Sequence, residues 1–218
     1  MFASLNGVRC QSLTLTIPSR GLWTADAVLT NPLSDGGTAT LIVAGLTLIG
    51  AFIRSADFLE NGFARLVGGH GGWHQTIPEK YYQSPFGLRL TPILTDAASA
   101  CGESVAVTTD SNVGNYYVRR NTTAARVLNQ LCPEWWVRPD GVTQIGPRTT
   151  PIISSRFDVI ADGTNLASGR VQIATDKPED WVPGCLFTAP TLPAQRQVST
   201  VIHTLTSNKL RTTIWTSP

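Results

Sequence analysis

Hydrophobic side chains follow two spacings over three successive stretches of this chain. In the first stretch they fall on every second residue. Leu13, Leu15 and Ile17 alternate with Ser12, Thr14 and Thr16, the pattern of a half-buried strand. Pro18-Ser19-Arg20-Gly21 reads as a turn. Beyond it Trp23, Ala25, Ala27 and Leu29 share a face. After a loop over residues 31–37, two strands at 38–43 and 46–53 are joined tightly at Ala44-Gly45, and another follows at 62–67. Five short strands with short turns predict a small antiparallel barrel or sandwich, and closure would remove the exposed edges.

The spacing changes across residues 66–102. Gly68, Gly69, Gly71 and Gly72 reach positive φ cheaply and form a joint between layers. Residues 73–86 read as irregular and aromatic. Helical spacing then begins. Leu90, Ile93, Leu94, Ala97, Ala98 and Cys101 make one apolar face, with Thr91 as N-cap, Pro92 as first helical residue and Gly102 at the C-terminal cap. Val105 and Val107 begin a short strand. A second helix follows Asn121-Thr122, carries Ala124, Val127, Leu128 and Leu131 on one face and stops at Pro133. Residues 135–138 and 142–145 form a hairpin around Pro139-Asp140-Gly141. From Arg148 the period returns to two, with a second set of about five strands. No residue-level repeat relates the two β segments.

The expected fold is therefore mainly β with an α+β insert. Two small antiparallel barrel or sandwich units, residues 1–72 and 148–218, flank a two-helix α+β unit at 73–147. A length of 218 residues suffices for such cores.

Composition adds one clue. Charged residues are only 15% of the chain, against about 25% in typical soluble domains, so much of the surface is expected to be covered by partners. The net charge of +2 decides nothing, and no basic run marks a nucleic-acid surface. Cys10, Cys101, Cys132 and Cys185 are widely spaced without C-x-x-C, the pattern of free buried thiols. The apolar run at 38–53 is interrupted by Gly45 and Gly50 and falls short of the ~18 residues that a membrane helix needs. No secretory leader is expected from M-F-A-S-L-N-G.

Candidate chemistry is sparse. His70 and His74 are four apart, but in G-G-H-G-G-W-H, which will not hold a helix, and no further ligand is near. Cys101 sits on an apolar helix face, where a thiol is inert. Nothing brings together any two of Asp57, Glu60, Glu79, Asp96 and Glu103 as an acid–base pair. The glycine joint lacks the Lys-Ser/Thr of a phosphate loop. No catalytic residue, cofactor or metal is expected. The aromatic group Trp73, Tyr81, Tyr82 and Phe86 reads either as a small core under a loop or as an interface anchor, since Trp and Tyr dominate binding hot spots.

Several of these stretches occur together in one family. Leu-Thr-Leu-Thr-Ile-Pro, Gly-Leu-Trp-Thr-Ala-Asp, Leu-Thr-Leu-Ile-Gly, Val-Gly-Gly-His-Gly-Gly-Trp, the capped helix and Trp-Val-Arg-Pro-Asp-Gly resemble baseplate hub proteins of tailed bacteriophages, the late-control D-type tail hubs. The resemblance spans most of the chain at the level of pattern. It implies a non-enzymatic homotrimer in the tail baseplate of the virion, assembled in the host cytoplasm. That ring would join the hexameric tail tube to a trimeric central spike, touch other baseplate proteins and pass DNA through its lumen without inserting into a membrane. In that family two β-barrel domains per subunit give three copies a pseudo-sixfold face. Two other classes remain open: a carbohydrate- or receptor-binding tail module stacking sugars on Trp73, Tyr81 and Tyr82, and a tail-associated cell-wall hydrolase.

Overall fold

The computed structural model describes residues 3–33, 37–58, 61–189, 192, 194–207 and 209–216. Its first β segment comprises β1 (Ala3–Leu5), β2 (Val8–Pro18), β3 (Thr24–Leu29), β4 (Thr38–Val43), β5 (Leu46–Phe58) and β6 (Asn61–Gly68). These strands pair in the order β1-β4-β5-β6-β3-β2, and β1 also pairs with β2, so the sheet closes into a six-strand barrel. The faces are those read from the sequence. Leu13, Leu15, Ile17, Trp23, Ala25, Ala27 and Leu29 all point into the core. Gly50 and Gly68 lie against Trp23, where a Cβ would come within 2.5–2.6 Å of its indole, so the indole fills space that only glycine leaves open.

The last segment holds β14 (Phe157–Asn165), β15 (Arg170–Thr175), β16 (Leu186–Phe187), β17 (Arg196–Thr206) and β18 (Lys209–Thr216). It is joined to the barrel through hydrogen bonds. β17 runs antiparallel to β2, from Thr200↔Pro18 to Leu205↔Leu13. The hydrophobic core is correspondingly continuous, from Leu13 and Leu66 to Val201, Ile214 and an edge-to-face cluster of Phe157, Trp181 and Phe187. The opposite face of this shared sheet is polar and uncovered along β2 and β3, where Thr14, Thr24 and Asp26 are exposed.

The pairing order reveals a repeat that the residues conceal. In the first segment β2 pairs with β3, β3 with β6, β6 with β5 and β5 with β4. In the last, β14 pairs with β15, β15 with β18, β18 with β17 and β17 with β16. The strands correspond in chain order, β2-β3-β4-β5-β6 with β14-β15-β16-β17-β18. β3 and β15 even share a length of six residues. Backbone hydrogen bonds carry the pattern, so any alternating sequence of the right length satisfies it.

The α+β part has its own core, built from Trp73, Leu90, Leu94, Ala97, Val127, Leu128 and Trp135. It contains β7 (Thr76–Ile77), β8 (Lys80–Arg89), α1 (Leu90–Ala100), β9 (Val105–Val107), β10 (Asn112–Arg119), β11 (Thr122–Thr123), α2 (Ala124–Leu131), β12 (Trp135–Val137) and β13 (Thr143–Ile145). Two sequence readings need correcting. Residues 80–86 are not irregular: they belong to β8, which forms a two-stranded antiparallel ribbon with β10. The helix start also differs: Thr91 is not the N-cap, nor is Pro92 the first helical residue, since Arg89 stands at the N-cap. The helix starts at Leu90, and its first N–H groups are satisfied from afar. Leu90 N–H donates to Ser111 O and Thr91 N–H to the Asp110 carboxylate, whose pKa that bond lowers. The C-terminus is as read. Gly102 sits at φ +72, Glu103 N–H donates to Ala98 O and Gly102 N–H to Ser99 O, a Schellman cap.

Candidate interaction surfaces

The glycine joint is held by a carboxylate. Glu103 is buried and accepts from His70 N–H at 3.0 Å and Gly72 N–H at 2.7 Å. Its carboxylate thereby anchors the joint. Asp57 and Glu79 are exposed elsewhere, and Glu60 lies outside the described residues. Trp73 follows directly and is fully buried, its indole N–H donating to Thr143 Oγ1 at 2.9 Å.

Tyr81, Tyr82 and Phe86 lie on the ribbon, so Trp73 does not join them in one patch. The ribbon has two faces. Tyr82 and Tyr117, with ring centroids 6.1 Å apart, are half-buried on the inner one. Tyr81 and its cross-strand partner Val118 are on the outer one, beside Tyr116. Between Gln83 and Leu88 the register slips, and Ser84–Gly87 bulges out. Gly87 at φ +90 makes this bend possible, and it leaves Phe86 95% exposed. Tyr116 and Val118 were not singled out from the sequence, although Tyr116-Tyr117-Val118-Arg119 alternates between the faces.

Asp96 on α1 ties this ribbon down. Its carboxylate accepts from Tyr82 O–H, Lys80 and the buried Arg119, at 2.6 Å for both Tyr82 and Arg119. The carboxyl pKa is lowered: burial opposes the shift, and the donors from Lys80, Tyr82 and Arg119 outweigh it. Removing this carboxylate leaves Arg119 charged and buried, which is costly. We expect Asp96→Asn to destabilise the fold by ~2 kcal/mol, scaled down from the fully buried case because Asp96 is partly exposed. Hydrogen exchange should accelerate over residues 80–89 and 112–119 more than in the barrel.

The remaining candidates are the two histidines and the four cysteines. His70 and His74 are exposed, and among the described residues no group of three His, Cys, Asp or Glu side chains is placed to hold a metal. The four cysteines are free and buried, and burial pushes each thiol up to about 11. Among the described residues no helix is long and apolar enough to cross a membrane.

Comparison with known proteins places the fold. No protein-family model matches the chain, and no curated protein matches it by sequence. Solved structures do match. A tail protein from Neisseria meningitidis MC58 aligns over 100% of this chain and 96% of its own, with a TM-score of 0.72 at 12% identity. The 43 kDa tail protein of prophage MuSo2 from Shewanella oneidensis aligns over 99% and 95%, with a TM-score of 0.68 at 11% identity. The E. coli c3393 protein is a type VI secretion component described as similar to the T4 bacteriophage tail proteins gp27 and gp5. It aligns over 100% and 77%, with a TM-score of 0.66 at 10% identity. The fold is thus one found in phage and prophage tail proteins and in a type VI secretion component.

Proposed function

We propose that this chain is a structural hub of a phage tail, or of a related contractile injection machine. Three copies form a ring that joins a hexameric tail tube to a trimeric central spike. The supporting observation is the five-strand repeat. A unit present twice per chain appears six times in a ring of three, whereas the α+β part appears three times. One face of the ring then offers near-sixfold contacts and the other true threefold contacts, which is what a joint between a hexamer and a trimer requires. The division into β units at 1–72 and 148–218 around an α+β unit at 73–147 belongs to this proposal.

The aromatic outer face of the ribbon, with Tyr81 and Phe86 at its centre, is assigned to neighbouring baseplate proteins. Exposed apolar groups in such number mark contact sites. DNA is cargo for the lumen, and the protein is located in the virion tail after assembly in the host cytoplasm. The likeness to tail proteins supports a structural rather than enzymatic role. Glycan binding is less favoured, because Trp73, the centre of the stacking platform it needs, is enclosed by the α+β core. The mass of the purified protein tests the reading: light scattering or native mass spectrometry should give three copies. A strict monomer at about 100 μM, weaker than any stable assembly contact, would contradict it.

A further inference from the structure

The repeat also says how one copy meets the next, given that the ring proposed above forms. Within the chain, the outer edge of β2 is paired with the second half of β17, residues 200–205. The first residues of β17, Arg196 and Gln197, pair with β16. In the repeat β5 stands where β17 stands, and it is used in the same way over its first half, where 46–51 pair with β4. Its second half, residues 52–57, has β6 on one side and, among the described residues, no strand on the other. β14 stands where β2 stands, and its outer edge is equally unpaired. The chain thus carries one filled junction, β2 to β17, and the two halves of a second one. An open edge of this length is an aggregation hazard unless it is covered.

We infer that β14 of one copy pairs antiparallel with residues 52–57 of β5 in the next, repeating between copies the junction that β2 and β17 make within one. The register follows from matched pairs. The β5–β6 hairpin closes at Phe58↔Asn61 and the β17–β18 hairpin at Thr206↔Lys209, so Ala56 corresponds to Thr204. Thr14↔Asp26 in β2–β3 corresponds to Ile160↔Gln172 in β14–β15. Thr204 faces Thr14, so Ala56 faces Ile160 of the next copy. Two residues along, Arg54 comes beside residues 161–164 of the next copy, where β14 slips out of register with β15, and Asp162 lies in that stretch.

The side chains suit that register. Ala56 and Ile160 form an apolar pair. Arg54 is exposed and lies directly opposite Arg65, a like charge that disfavours the sheet. Arg65 is already engaged by Asp26 at 2.7 Å. Asp162 is exposed, and among the described residues neither Arg54 nor Asp162 has an ion-pair partner. The contact supplies the missing counter-charge on both sides. It is head-to-tail, with different patches meeting, and therefore makes a ring when the rotation closes.

Charge reversal tests the contact. Arg54→Asp and Asp162→Arg, each placing like charges across the junction, should each raise the concentration at which the ring dissociates at least tenfold. The double variant should recover most of that loss. Both positions are exposed, so the circular dichroism spectrum of each variant should match the parent's. Independently, Ala56→Cys with Ile160→Cys should oxidise to a covalent species of three copies, while the off-register pair Ala56→Cys with Asp158→Cys should not. A three-copy ring that ignores the charge reversals and gives no register-specific cross-link would overturn this contact and leave the hub reading standing. A parent protein that stays monomeric would overturn both.

Discussion

Gly72→Ala should cost more than ~3 kcal/mol and leave little folded protein at 37 °C. A Cβ on residue 72 would sit 1.8 Å from the carbonyl oxygen of Cys101 and 3.1 Å from Glu103 Cγ. The first of these is backbone at the end of α1, and it cannot rotate away. The amide of Gly72 is also one of the donors to buried Glu103, so any shift that relieves the clash strips a carboxylate of its partner. Gly102→Ala is the control. Its φ of +72 strains an L residue, but nothing lies within 4 Å of the added methyl, so only the left-handed backbone cost of ~1–2 kcal/mol applies. Urea unfolding of both variants separates close packing from conformational strain. Equal losses would mean that the joint is not held as described.

Acid should weaken the fold well before its carboxylates titrate. His203 is 1% exposed in the core, paired across the sheet with Leu15 of β2 and Thr212 of β18. Nδ1 lies 2.9 Å from Thr212 Oγ1, while Nε2 is buried without a partner. Burial holds its pKa down at about 4, against an ordinary 6.5. Between those values the unfolded chain binds a proton that the folded chain refuses. Stability therefore falls as pH drops from 6.5 to 4, by ~3 kcal/mol in total. Asp96 and Asp110, whose pKa values are lowered, act in a different window. Their contribution is complete above the ordinary carboxylate value of ~3.9 and fades below it. In His203→Leu the loss between pH 6.5 and 4 should shrink by about that 3 kcal/mol, although the variant is weaker at pH 7 because Thr212 loses its partner. An unchanged pH slope in His203→Leu would show that another group carries it.

How much of this was legible depends on where each bond goes. β2, β3 and the inner face of α1 could be read because burial imposes a local period, and Leu13, Leu15 and Ile17 or Leu90, Ile93 and Leu94 obey it. The cap at Gly102 is local too. The ribbon was missed because its pairing joins residues about thirty apart in sequence, across a bulge at Ser84–Gly87 that breaks the alternation. Thr91 was misread because its amide is satisfied by Asp110, far along the chain. Trp73 and Tyr81 are close in sequence yet divided by the turn at Gly72–His74, which sends one into the core and the other to the surface. The β repeat leaves no residue trace because pairing order is a property of the backbone. Leu13 and Thr14 correspond to Val159 and Ile160, which share their place in the pairing and little else, and beyond Ile160 the register of β14 slips. The Arg54–Asp162 match becomes visible only when that order is known.

The central claim is that one chain carries two copies of a single sheet unit, so that three chains imitate six. Electron microscopy of the purified assembly, viewed down its axis and divided into slices, tests it most directly. Six evenly spaced lobes on the sheet side and three on the helical side are expected. A ring whose sheet side shows three lobes with wide gaps, or any ring of a copy number other than three, would contradict it.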